Sequence, residues 1–189
     1  MKKWLIIIAL FFTVLPAISK PGTIVTYTID PEKNAWSHNN MGIVYMEEKC
    51  YYAAIQEFKI AISLNSNAQS TAIYLNNLGK AYLIIGYPEL ALGCFEDALT
   101  QYSLNFEFYE NLAKCYAQLG KIQEKLSKYQ SEISKNPVAK VMVGLLQEQN
   151  GNKKQAITTL DDFVMAEPDL IITPAVKKHI QGLVQDINK

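Results

Sequence analysis

Two histidines, three cysteines and a scatter of adjacent carboxylates are the residues of this chain able to do covalent or acid–base chemistry. Nucleophilic catalysis needs an activated nucleophile beside a positioned base, and the bases on offer are His38 and His179. Cys50, Cys94 and Cys115 stand 44 and 21 residues apart, which matches no zinc-ligand spacing. They read as small buried hydrophobes, and their odd number permits at most one internal disulfide, with Cys94–Cys115 the pair to consider. Glu47–Glu48 and Asp161–Asp162 are sequence neighbours, so on a helix they diverge and read as solvated. No glycine-rich phosphate loop follows a strand. The expectation is a chain without catalytic residues, metal or cofactor.

Asparagine recurs in a more regular way. Residues 76–82 read NNLGKAY, residues 39–45 read NNMGIVY and residues 110–116 read ENLAKCY. Each copy sets an Asn before an apolar residue with a Tyr five positions on. Asn is a mediocre helix former because its side chain competes for backbone hydrogen bonds, so its return at one place asks for a reason in the fold or in a ligand. The distance from Gly42 to Gly79 is 37 residues, and from Gly79 to Ala113 it is 34. Ala54, Phe58 and Ala61 of the first copy correspond to Ala91, Phe95 and Ala98 of the second. Gly86–Pro88 and Leu119–Lys121 break the apolar pattern midway. Each unit therefore reads as helix, glycine turn, helix.

That pattern resembles the tetratricopeptide repeat family. Residues 72–105 fit it best, through Leu75, Leu78, Gly79, Tyr82, Ala91, Phe95 and Ala98. Residues 35–68 fit through Met41, Gly42, Tyr45, Ala54, Phe58 and Ala61, but carry His38 at the large-residue position and Lys49 where the others have the turn glycine. Residues 106–136 have Tyr109, Leu112, Ala113, Tyr116, Gly120 and Tyr129, yet Lys125 and Glu132 fill the two small-residue positions of a weak second helix. A degenerate copy spans 137–170, with Gly144, Gly151, Ala156 and Pro168 in place and Gln147 for the tyrosine. The implied fold is all-α: a right-handed solenoid of three to four helix-turn-helix repeats, stabilised by stacking of neighbours. Residues 174–189, with Val176, Ile180, Leu183, Val184 and Ile187 at helical spacing, read as a C-terminal capping helix. In such a stack His38 and His179 sit in different units, and His38 is expected to serve packing at a helix seam.

The resemblance also implies that the first helix of each unit lines a concave face. Repeat positions 5, 6 and 9 there supply Asn39, Asn40 and Ile43, then Asn76, Asn77 and Lys80, and in the third unit Asn111 and Lys114 at positions 6 and 9. These are the candidate peptide-binding residues. An Asn amide is both donor and acceptor, so it suits either a peptide backbone in the groove or a polar groove edge serving the fold alone. Family members that clamp a C-terminal carboxylate need a set of Lys and Asn of which only Asn77 is present here, and Glu107 stands where a lysine belongs. Trp36, Ile43, Met46, Ile73, Leu83 and Ile84 make the first half of the groove apolar.

Composition narrows the partners. Net charge is zero and all 18 basic residues are lysine, so the arginine fork that reads phosphate and guanine is missing and no nucleic-acid partner is expected. Residues 1–19 combine Lys2–Lys3, an apolar run Trp4–Leu15 and small residues at Ala17 and Ser19. That is the form of a cleaved secretory signal, bacterial in style and too short to span a bilayer. The expected location is periplasmic or secreted, with membrane anchoring by an uncleaved signal as the alternative. Residues 20–34 have no helical period; Val25, Tyr27 and Ile29 alternate with threonine, giving an extended leader, either loose or lying on the first helices. The expected function is an exported, non-enzymatic protein–protein interaction adaptor that binds a protein or peptide partner. The alternative is a self-associating structural component of the cell envelope, hence a homo-oligomer.

Overall fold

The fold is taken from a computed structural model that describes residues 30–65 and 67–188. The expected signal at 1–19 and most of the leader fall outside the described residues. The rest is helical: α1 Pro31–Glu47, α2 Tyr51–Leu64, α3 Ala68–Ile84, α4 Pro88–Gln101, α5 Phe106–Gln118, α6 Ile122–Glu132, α7 Ala139–Gln149, α8 Lys153–Ala166 and α9 Thr173–Ile187. The described residues contain no strand, and none of their helices is long and apolar enough to cross a membrane. The expected solenoid of helix pairs is the observed architecture.

One boundary differs. Residues 31–34, read as the end of an extended leader, are the first turn of α1. The cause is local: the Asp30 carboxylate accepts from the amides of Glu32 and Lys33 at 3.1 and 3.2 Å, and Pro31 occupies the first-turn position where a missing N–H costs nothing. Asn67 and Asn105 cap α3 and α5 in the same way.

Close approach of the paired helices depends on glycine. A Cβ at Gly42 would lie 2.5 Å from the Phe58 ring, one at Gly79 2.6 Å from Phe95, and one at Gly144 2.5 Å from Leu160. Phe58, Phe95 and Leu160 are fully buried by this contact. The third unit has Ala113 in the glycine's place, and α6 contributes no buried residue. Its helix α5 instead packs directly on α7, whose residues Val141–Gln147 are all buried. The weak helix expected from Lys125 and Glu132 thus marks where the regular stack changes into a more compact end, with α8 and α9 closing it.

The turns repeat as closely as the cores. Gly86, Gly120 and Gly151 have φ of 85°, 67° and 83°, and Lys49 takes the same left-handed conformation at 61°. The next residue donates its N–H back to the carbonyl of Tyr45, Tyr82, Tyr116 or Gln147 in the four units respectively, at 2.8–2.9 Å. This is the Schellman bond that closes a helix on a left-handed residue.

Candidate functional site

Helices α1, α3 and α5 lie side by side and present the inner face. Its asparagines do not stand as a row of free amides. Asn39 and Asn76, at repeat position 5, are buried. Each accepts from the position-6 asparagine of the next unit: Asn77 Nδ2 donates to Asn39 Oδ1 at 2.9 Å, and Asn111 Nδ2 donates to Asn76 Oδ1 at 2.9 Å. The recurrent Asn thus has a structural partner one unit away. Asn76 Nδ2 donates in turn to Glu107 Oε1 at 3.3 Å, and Lys80 Nζ donates to the same oxygen at 3.0 Å. Burial pushes the Glu107 carboxyl up, but the hydrogen bond and charge of Lys80, with the amides of Asn76 and Asn111, outweigh it and hold its pKa below the usual value.

Of the other candidate residues, Asn40, Asn77 and Asn111 are half-buried, Lys80 is tied to Glu107, and Lys114 is exposed. The apolar members are open: Trp36 is 60% exposed, Ile43 38%, Ile73 39% and Ile84 55%. Met46 and Leu83 are half-buried and pack into the core.

A second polar cluster, which the repeat pattern did not signal, joins three helices at the C-terminal end. His179 of α9 pairs through Nε2 with Glu148 Oε2 of α7 at 2.6 Å, and its Nδ1 faces Glu110 Oε1 of α5 at 3.5 Å. The ring of Phe106 lies against the imidazole, centroids 5.1 Å apart. These residues, with Lys178, Gly182 and Asp186, line an open cleft of about 440 Å³. Burial pulls the imidazole pKa down, but the hydrogen bond and charge of Glu148 and the charge of Glu110 raise it above its ordinary value. Burial pushes the Glu110 carboxyl up, and His179 and Lys114 offset that only in part. The cluster joins segments far apart in the chain, and it arises because α5 meets α7 directly.

His38 is committed elsewhere, with Nδ1 2.6 Å from Glu57 Oε2 of α2. All three cysteines are free. Burial pushes the Cys94 and Cys115 thiols up to about 11, so both stay protonated and poorly nucleophilic at neutral pH. The described residues include no group of three or more His, Cys, Asp or Glu able to hold a metal ion.

The family model described as tetratricopeptide repeat matches residues 34–103. A search of the curated proteins found no match, whereas solved structures resemble the chain. The second TPR domain of human RPAP3, determined in complex with the HSP70 peptide SGPTIEEVD, is 21% identical, with 64% of this chain and 98% of that one covered and a TM-score of 0.50. A tetratricopeptide repeat protein from Parabacteroides merdae is 19% identical over 82% of this chain and 62% of its own, with a TM-score of 0.51. MamA is 22% identical over 74% and 81% of the two chains, with a TM-score of 0.49. For the first two, at these identities, the likeness is one of fold. The matched residues cover α1–α4.

Proposed function

We propose that this chain is an exported, non-enzymatic adaptor whose inner face holds a peptide or amphipathic helix of a protein partner. The observation that carries the reading is the set of open apolar side chains on the first helices, Trp36, Ile43, Ile73 and Ile84. Exposed apolar patches of this kind mark interaction sites, and apolar anchors at helical spacing are met by the apolar face of a partner helix or by alternate side chains of a strand. Of the two parts open to the asparagines, Asn39 and Asn76 serve the fold, joined across units to Asn77 and Asn111, while Asn40, Lys80 and Lys114, with the rims of Asn77 and Asn111, form a polar margin to the apolar set. A tetratricopeptide domain of the same fold has been seen with a bound peptide, which agrees with this use of the face. Export rests on the form of residues 1–19, and the periplasm or the exterior of a bacterial cell is the proposed location.

The test is a photo-crosslinking residue in place of Ile73, with the full chain expressed in its native cell and the adduct identified by mass spectrometry. An adduct with a second protein, lost on Trp36→Ala with Ile43→Ala, is expected. A correctly folded chain that gives no adduct above background overturns the reading. Fractionation of the same cells, with sequencing of the mature N-terminus, decides export.

A further inference from the structure

Three repeat positions, 3, 7 and 10, form the stripe by which each first helix stacks on the unit before it. In α3 the stripe is Tyr74, Leu78 and Ala81, buried in clusters with Ala54, Ile55, Phe58 and Ala61 of α2. In α5 it is Phe108, Leu112 and Cys115, buried in clusters with Ala91, Phe95 and Ala98 of α4. In α1 the same positions hold Ser37, Met41 and Val44. Ser37 is exposed, Met41 is 44% exposed and Val44 49%, so nothing among the described residues covers the stripe. It continues a surface that the chain buries twice more.

The charges at its two ends narrow the occupant. Lys33 lies one turn before Ser37, and Glu48 lies one turn after Val44, on the same face of the helix. Both are exposed, and neither has an ion-pair partner among the described residues. Ser37 and Val44 stand equally far from the Asn40–Met41 peptide, and so do Lys33 and Glu48. The stripe is therefore its own complement under a half-turn. Laid antiparallel on a copy of itself, it sets lysine opposite glutamate at both ends. Laid parallel and in register, it sets lysine against lysine and glutamate against glutamate.

We propose that α1 of a second copy covers the stripe, packed antiparallel about a two-fold axis level with the Asn40–Met41 peptide. An axis there brings Met41 against Met41 of the second copy. It sets Ser37 level with Val44 of the second copy, and Lys33 level with its Glu48. Such a contact is isologous and closes at two chains. One helix pair is small by the measure of stable dimers, so the pairing is weak and depends on concentration. Its two ion pairs stand at the rim, so salt weakens it further. The adaptor reading is independent of this contact, since Ile73 and Ile84 of α3 take no part in it.

Sedimentation equilibrium of the chain purified from its native cell should show monomer and dimer in exchange. Lys33→Glu and Glu48→Lys should each weaken dimerisation severalfold, and the two together in one chain should recover most of it. Disulfide trapping checks the register. In a Cys50→Ser background, Met41→Cys should link to itself on oxidation, because the axis brings the two side chains together. Ser37→Cys, about 10 Å along the helix from its own copy, lies beyond disulfide reach and should link only when mixed with Val44→Cys. A monomer at every concentration, a dimer indifferent to either charge reversal, or no recovery in the double reversal overturns the proposal. So does a Met41→Cys chain that forms no linked dimer, or a Ser37→Cys chain that links to itself.

Discussion

Asn77 of the second unit donates to Oδ1 of Asn39, a buried residue of the first, across 2.9 Å and 38 positions of sequence. Asn111 repeats the contact to Asn76 one unit later. Replacing an acceptor in such a pair leaves the donor without its partner, which costs about 1–3 kcal/mol. Asn76→Ala should be the most damaging of the four alanine substitutions, because Asn76 also serves Glu107. Urea denaturation of Asn39→Ala, Asn77→Ala and the double variant should show a coupling energy of about 0.5–1.5 kcal/mol. Additive losses would mean that the two side chains do not communicate.

Glycine has opposite meanings at two places. Gly79→Ala sets a Cβ 2.6 Å from the ring of Phe95, which is fully buried and cannot retreat; a loss of about 1–3 kcal/mol is expected. Gly93 lies on the exposed face of α4 with nothing within 4 Å of its added Cβ. Gly93→Ala should stabilise by about 0.5–1 kcal/mol through helix propensity. Thermal melts of the two variants, side by side, check the sign.

Lys49 occupies a left-handed conformation at φ 61° that three glycines hold in the other turns. A residue with a Cβ is strained there by about 1–2 kcal/mol, part of which glycine returns to the unfolded chain as entropy. Lys49→Gly should therefore raise the melting temperature by a few degrees, and a fall would show that the lysine side chain holds a contact worth more than the strain.

The cluster at the C-terminal end gives a pH dependence whose sign is fixed by its charges. His179 gains a proton more readily folded than unfolded, since Glu148 and Glu110 raise it above 6.5. Its contribution is therefore fully present below about 6.5, the unfolded value, while the facing carboxylates stay ionised, and it is lost as pH rises through the higher folded value. Lys114, Lys178 and the Lys153–Asp186 pair lie around the same cleft. The melting-temperature difference between the natural chain and His179→Gln should be larger at pH 6 than at pH 8, with hydrogen exchange in α9 following it. A difference independent of pH would show that the imidazole is not held by charge.

Much of the fold could be read from residue spacing because each unit repeats the same contact. Gly42 with Phe58 and Gly79 with Phe95 obey one rule, so two copies expose it. The weak α6 was equally visible, since Lys125 and Glu132 stand where helices must touch. What lay beyond reach depends on relations between units. Spacing located the asparagines but not their diagonal pairing, position 5 of one unit with position 6 of the next. The Glu110–Glu148–His179 cluster needs α5 against α7 and α9 beside both, a departure from the regular stack that no period announces. The first turn of α1 was hidden by Pro31, which reads as a break unless Asp30 is recognised as its cap.

The diagonal asparagine contact also bears on how such a chain can lengthen. Its donor and acceptor sit on the same helix in adjacent positions, as Asn76 and Asn77 do in α3. A duplicated second unit would face its own copy with the acceptor already opposite the donor. The same holds for Ala91, Phe95 and Ala98 of α4, which repeat the residues by which α2 receives α3. Tandem growth in the middle of this molecule thus requires no new complementarity. Growth after the third unit does, because the acceptor position there is Glu110, which faces His179, and the donor position is Met142, which has no side-chain donor.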